Sequence, residues 1–322
     1  MLIKSVKENL GKVASLDNGD WVIAYSGGVD SRLLLDVLYK IKPDNKKIKV
    51  VHVNHGLSKN AEAWEKAAEG IVSRYPGVEL VTARLNMTET SAIEEKAREY
   101  RYQVFQDNMS EGDLIFMGHH KNDNMETVLF RLFRGTALKG LSGIPFTRAF
   151  GKGNIVRPLM DTTRKEIEKY AVENELSWVE DESNSDSKYS RNFLRNEVIP
   201  LIEKRWANAI HVINQLSVKA QENEELIAEI AQEDLVKVKD LYKGKEALNL
   251  EKILLLSKVR QKNLICYYLK EKGFSINSGK MFEELLKSIF MENKNNSSLR
   301  KKDVGPFVVV TNGKKVWIDD KS

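Results

Sequence analysis

The apolar run Trp21 to Tyr25 stops at Ser26-Gly27-Gly28-Val29-Asp30-Ser31, and a helical pattern with Leu34, Leu35 and Leu38 on one face begins there. A strand that turns through two glycines straight into a helix is a junction of an α/β fold, and it restricts what the rest of the chain can be. The glycines let backbone N–H groups close on phosphate oxygens with no Cβ in the way. The helix start adds unpaired donors and the positive end of a dipole. Ser26 and Ser31 add hydroxyls, and Asp30 is placed to hold Mg²⁺ against bound phosphates. A capped structural turn would need only one or two of these residues. The whole hexapeptide in a strand–turn–helix context points to a phosphate site.

The pattern repeats downstream. Ile48 to Val53, Val78 to Arg84 and Leu114 to Met117 read as strands. Ala61 to Arg74, Asn122 to Phe133 and Thr163 to Asn174 read as helices. Ser91 with Glu94 three residues on predicts a capping box. The expected fold class is α/β: a Rossmann-like parallel sheet with helices on both faces, where ligands bind beyond the C-terminal strand ends. Gly135 to Gly153 reads as loop, with Gly151-Lys152-Gly153 either mobile near the substrate or a plain connector. Asp181 to Ser190 reads as turn-prone. Apolar residues then recur at helical spacing from Trp206 to Ile230, with a break expected at Gln221 to Glu225. Leu248 to Phe290 is helical in pattern and Asn293 to Ser298 is a polar break. Phe307 to Thr311 and Lys315 to Asp319 suggest a short terminal hairpin around Asn312-Gly313. The expected domains are an α/β domain carrying the phosphate loop over 1–205, a helical, basic domain over 206–292 and a β-like extension over 293–322.

Composition narrows the class. Across 322 residues, 42% hydrophobic and 30% charged, no run approaches 18 consecutive apolar residues, so no membrane partner is expected. The first ten residues lack the apolar core of a signal peptide. The single cysteine, Cys266, can form neither an internal disulfide nor a cysteine-rich metal site. The expected compartment is therefore the reducing cytoplasm. Residues 1–200 balance basic against acidic side chains, and the whole net charge of +5 falls after them. Lys237 to Lys262 alone holds eight basic and three acidic residues. Charge by itself fits a solvated lysine-rich surface as well as an anionic partner such as nucleic acid.

The hexapeptide resembles the pyrophosphate loop of the PP-loop, or N-type ATP pyrophosphatase, superfamily. It differs from a Walker A loop, which needs a distal Gly-Lys-Ser/Thr. Further segments resemble the tRNA(Ile)-lysidine synthases of that superfamily, in order along residues 21–206. They include Val51-His52-Val53-Asn54-His55-Gly56-Leu57, Glu95 to Tyr102, and Gly118-His119-His120-Lys121-Asn122-Asp123-Asn124-Met125-Glu126-Thr127. Arg131, Arg134-Gly135, Arg157-Pro158-Leu159, Arg164 to Ile167 and Tyr189 to Asn196 continue the likeness.

That resemblance implies ATP-dependent ligation of L-lysine to C2 of the cytidine at the first anticodon position of a CAU-anticodon tRNA. The route is an adenylated intermediate, with release of AMP and pyrophosphate. It implies ATP on Ser26, Gly27, Gly28, Val29, Asp30 and Ser31 with His52 and Asn54 beside it, and Mg²⁺ at Asp30. Asp123 and Glu126, three apart and so on one helix face, would fix the lysine ammonium or hold the metal. Arg98 and Arg191 would offset charge on the intermediate, and His119 would touch phosphate or line the pocket. The basic C-terminal region would grip tRNA phosphates, and a homodimer is implied.

The chain departs from the family pattern at Asn122 and Asn124, where Asp and Gln are usual, at Ala137 for Gly and at Glu182 for Pro. The loss of a carboxylate at Asn122 weakens the case for a two-acid metal site. Thiolases of the superfamily need cysteines this chain lacks, and the amide-forming synthetases need an ammonia source for which it shows no signature. A catalytically idle RNA-binding relative is the alternative; the intact loop speaks against it and Asn122 for it.

Overall fold

The computed structural model describes residues 2–13, 16, 18–54, 56, 60–85, 93–180, 188–274, 279–290 and 299–321. The chain divides into two compact units, Met1–Ala220 and Gln221–Ser322.

The first unit opens with α1 (Leu2–Leu10), β1 (Trp21–Tyr25), α2 (Val29–Ile41), β2 (Ile48–Asn54), α3 (Ala61–Val72), β3 (Val78–Arg84) and α4 (Ile93–Asp107). Then come β4 (Leu114–Phe116), α5 (Lys121–Phe133), α6 (Leu138–Leu141), β5 (Thr147–Phe150), β6 (Gly153–Val156) and α7 (Arg164–Glu173). A helical segment follows as α8 (Ser190–Phe193), a π-helical turn (Leu194–Val198) and α9 (Ile199–Arg205), and then α10 (Ala209–Val238), within which the unit boundary falls. The sheet runs β3-β2-β1-β4-β6-β5, parallel except for β5. Side chains alternate faces along each strand. Trp21, Ile23 and Tyr25 join a core with α1, α2 and α7, while Val22 joins a second core with Val104 and Phe105 of α4. Two covered faces explain why the central strands read as unbroken apolar runs. Strand order turns at β1, with β2 on one side and β4 on the other, so a crevice opens beyond their C-terminal ends.

The expected loop 135–153 differs in the structure. It contains α6 and the β5–β6 hairpin, turned at Gly151-Lys152 with Gly151 at φ +54°, so Gly151-Lys152-Gly153 belongs to a sheet edge. Strands of four residues between glycines carry too little periodicity to be read from sequence. The break expected at Gln221 to Glu225 is absent, because glutamine and glutamate are good helix formers whatever their polarity. The expected cap at Ser91 and the polar stretches 181–187 and 293–298 lie outside the described residues.

The second unit adds β7 (Lys239–Tyr242), β8 (Lys245–Asn249), α11 (Leu250–Leu254), α12 (Lys258–Glu271), α13 (Gly279–Phe290), β9 (Arg300–Val304), β10 (Phe307–Thr311) and β11 (Lys315–Asp320). The expected terminal hairpin is β10–β11, extended to an antiparallel sheet of order β7-β8-β11-β10-β9. Leu264, Ile265, Tyr268 and Leu269 of α12 and Leu285 and Ile289 of α13 pack on Val304, Phe307, Val309 and Val316. The β7–β8 hairpin turns at Lys243-Gly244, both at positive φ, the backbone that suits two-residue hairpins. Among the described residues no helix is long and apolar enough to cross a membrane.

Candidate active site

The loop after β1 is folded around one hydroxyl. Ser31 Oγ accepts from the N–H groups of Ser26 (3.2 Å) and Gly27 (3.1 Å) and donates to Gly28 O (2.9 Å). Ser26 Oγ lies 3.2 Å from it. Ser31 is buried, so its hydroxyl shapes the loop rather than facing outward. Gly27 sits at φ +90°, a conformation open to glycine, and its carbonyl accepts from Val179 N–H (3.0 Å). Gly28 is the N-cap of α2 and offers no side-chain acceptor to the first turn. A cradle of N–H groups without a side-chain cap at a helix N-terminus suits an anion.

The exit of β4 lies against this helix start. A Cβ on Gly118 would meet the Asp30 backbone carbon at 3.1 Å, tighter than an ordinary contact, so the close approach favours glycine. His120, two residues on, is the N-cap of α5. Its Nδ1 accepts from Asn122 N–H (3.2 Å), which leaves the ring proton of the neutral form on Nε2. That nitrogen lies 3.4 Å from Asp30 Oδ1 and 3.5 Å from Asp123 Oδ2. Asp123 closes the capping box by accepting from His120 N–H (2.9 Å). Burial holds the His120 pKa below the usual range.

Three carboxylates and two guanidiniums meet here. Arg164, at the start of α7, donates through Nη1 to both oxygens of Asp30 (3.0 and 2.8 Å), while its Nε serves Glu168 (2.7 Å). Arg195 donates to both oxygens of Glu126 (2.7 and 2.8 Å) and lies 3.5 Å from Asp123 Oδ1. Arg195 stands in the π-helical turn. Pro200, just beyond, has no N–H to offer, and the Ile199 N–H reaches back to Leu194 O in π register. Burial raises the pKa of Asp30, Asp123 and Glu126, against the lowering pull of His120 and Arg164, of the His120 N–H bond and Arg195, and of Arg195 respectively. Asp123 and Glu126 thus share Arg195, while Arg164 is divided between Asp30 and Glu168.

The remaining expected residues take other places. His52 donates through Nδ1 to Tyr25 O (3.0 Å), and Asn54 bonds Glu65 and Gly56 N–H, so both order the ends of β1 and β2. His119 is close to Arg157, Arg101 and Arg98; burial, with those charges, pushes its pKa down to about 3, and its buried Nδ1 has no hydrogen-bond partner. Arg98 lies over the Tyr102 ring, 5.0 Å from its centroid. Arg191 lies over Phe130 at 5.6 Å, and its charge reaches Asp123. Thus Asp30, Asp123 and Glu126 are brought together, His119 and Arg98 share a second cluster, and Arg191 borders the carboxylates from α8. Sequence reasoning assigned no role to His120, Arg164 or Arg195, although all three lie inside the matched segments. Asn122 Oδ1 accepts from Arg164 N–H (2.9 Å) and fixes the start of α7. Asn124 bonds Asn214 (2.8 Å) and Ile144 N–H (2.7 Å). Among the described residues, no group of three acidic, histidine or cysteine side chains could hold a metal by itself. Asp30 is the carboxylate nearest the loop, and Mg²⁺ typically takes one or two carboxylates with phosphate oxygens for the rest.

A PP-loop domain family model matches residues 2–202. The chain is 36% identical over 258 residues to the tRNA(Ile)-lysidine synthase of Pseudomonas putida, covering 78% of this chain and 60% of that protein. It is 34% identical over 278 residues to the tRNA(Ile)-lysidine synthase of Coxiella burnetii, covering 85% and 61%. The chain thus spans about 60% of the length of the curated relatives it matches. A solved U34-tRNA thiolase from Methanococcus maripaludis superposes with a TM-score of 0.56 at 19% identity, over 69% of this chain and 78% of that one, a likeness of fold alone.

Proposed function

The chain belongs to the PP-loop domain family, and from that premise we propose that it is an ATP-dependent ligase that modifies tRNA, joining L-lysine to C2 of the cytidine at the first anticodon position of a CAU-anticodon tRNA. The carrying observation is the carboxylate cluster beside the loop, in which Asp123 and Glu126 share one guanidinium, Arg195. An alkylammonium suits such a pair. Asp123 and Glu126 would receive the lysine ε-ammonium, and their raised pKa suits them to take its proton as the amine becomes a nucleophile.

The proposed sequence balances without an oxidant or reductant. The cytosine C2 oxygen attacks the α-phosphorus of ATP and pyrophosphate leaves. The ε-amine then adds at C2, AMP departs with that oxygen, and the amine proton passes to a carboxylate. The first turn of α2 would hold the phosphates through its N–H groups. Mg²⁺, when bound, would neutralise phosphate charge, with Asp30 as its protein ligand. Arg164, now on Asp30, would turn to the phosphates. An anticodon loop presents an unpaired base that can be splayed into such a pocket at low cost. In the second unit, exposed lysines such as Lys237 and Lys239 would contact tRNA phosphates.

The idle-relative alternative rests on Asn122, whose amide holds the start of α7 while Asp123 and Glu126 form their pair without it. Incubation with ATP, labelled lysine and a CAU-anticodon tRNA tests the proposal. It expects lysine in the tRNA and one AMP per lysine; AMP without incorporation, or neither, would overturn it.

A further inference from the structure

An open aromatic cleft lies on the first unit beside the carboxylate pair. Its volume is about 550 Å³, and Phe130, Phe133, Arg134, Phe193, Leu194 and Val198 line it. Phe133 is 68% exposed and Phe193 44% exposed, large apolar side chains open to solvent. Arg134 and Arg191 place their guanidiniums over the Phe130 ring, at 5.2 and 5.6 Å from its centroid. Among the described residues, neither arginine forms a salt bridge, although the Arg191 charge is felt at Asp123. The cleft continues the site along one helix face, since Glu126, Phe130 and Phe133 are spaced four and three residues apart on α5. Seven residues of helix carry the face about 10 Å from the carboxylate. The other wall begins at Leu194, next to the Arg195 that grips Glu126.

The geometry points to this cleft as a stacking platform for an unpaired nucleotide that neighbours the modified base, with Phe133 and Phe193 against the base and Arg134 and Arg191 on its phosphodiesters. The proposal rests on the tRNA reading above. Exposed ring faces beside two guanidiniums that make no ion pair among the described residues match a flat base carried on a charged backbone. A protein partner would have to bring a carboxylate to each guanidinium, whereas a nucleic-acid backbone carries an anion at every nucleotide. Stacking on aromatic rings is indifferent to base identity, so the cleft would hold the loop open rather than read its sequence.

The test is binding of an anticodon stem–loop RNA with a CAU loop, and of duplex RNA of the same length, to the full chain and its variants. Phe133→Ala/Phe193→Ala should lose at least about fivefold in stem–loop affinity, since one stacked base is worth that much, with duplex and ATP binding unchanged. Both rings are exposed, so the fold should survive their truncation. Phe133→Tyr should restore what Phe133→Leu does not, because leucine keeps the apolar area and lacks the ring. Stem–loop affinity retained by the double variant, or equal rescue by leucine, would overturn the proposal. So would a loss of self-association without a loss of RNA binding, which would make the cleft a protein–protein face. Failure of the unaltered chain to bind the stem–loop would overturn the tRNA reading itself, and this one with it.

Discussion

Arg195 grips Glu126 with two parallel hydrogen bonds, Nε to Oε1 at 2.7 Å and Nη2 to Oε2 at 2.8 Å. The glutamate is buried and the arginine side chain is 42% exposed, so the pair links the buried carboxylates to the surface. A planar fork can hold both oxygens at once, which an ammonium cannot.

Removing that fork should therefore do two things. Arg195→Ala leaves a buried carboxylate unpaired and should raise the Glu126 pKa further. Water reaching the exposed arginine moderates the cost to about 1–2 kcal/mol, below that of breaking a fully buried pair. Urea unfolding would measure the loss. Lysine transfer should fall in Arg195→Lys as well, because a point charge does not fix both oxygens; full transfer in that variant would show that the fork is dispensable.

Ser31→Ala should open the phosphate loop while leaving the strand and helix in place. The N–H groups of Ser26 and Gly27 lose their acceptor, at about 1–3 kcal/mol. ATP affinity should drop by about tenfold, and titration calorimetry would register it. An ATP affinity equal to that of the unaltered chain would mean the loop is shaped by Gly27 and Val179 alone.

Asp30→Asn keeps the volume of the side chain and removes its charge. The fold should persist, and Arg164 should retain Glu168 as its partner. ATP-dependent AMP release should fall by about 100-fold or more, the scale of losing one electrostatic group in an active site. Near-normal release would sink the role given to Asp30.

His119 predicts a pH signature. Its pKa is pushed from 6.5 down to about 3 in the fold, so the unfolded chain takes up its proton first on acidification. The stability this group contributes is complete above about 6.5 and is lost as pH falls toward 3. The raised pKa values of Asp30, Asp123 and Glu126 act with the opposite sign, losing their contribution as pH rises through those values. The comparison must therefore be differential. Between pH 4 and 7, the melting temperature of His119→Gln should depend less steeply on pH than that of the unaltered chain. Parallel curves would assign the acid limb elsewhere.

In the second unit, Lys237, Lys239 and Lys245 pair with Glu233, Glu246 and Asp319, and Lys243 lies over the Tyr242 ring. Exposed pairs of this kind are worth about 0–1 kcal/mol and exchange readily for phosphate. Replacing all four by glutamine should weaken RNA binding across sequences. Each lost duplex contact should flatten the slope of log affinity against log salt by about 0.9. A salt titration with equal slopes would remove these lysines from the RNA-binding surface.

The sequence by itself determined the parts that are local. The β1 run, the two glycines and the α2 leucines specify a strand–loop–helix junction within about twenty residues, and the spacing of Asp123 and Glu126 sets both on one face of α5. The strand of Gly153–Val156 was not legible, because four residues owe their place to pairing with β4 rather than to their own pattern. The partners of the carboxylates were not legible either. Arg164 reaches Asp30 across 134 residues and Arg195 reaches Glu126 across 69. Both arginines stood in recognised segments, yet a charge in a sequence carries no address. Only the packing of α7 beside α2, and a π-helical turn ahead of Pro200, decided which carboxylate each would neutralise, because ion-pair geometry is fixed by where whole elements dock and not by the residues adjoining each charge.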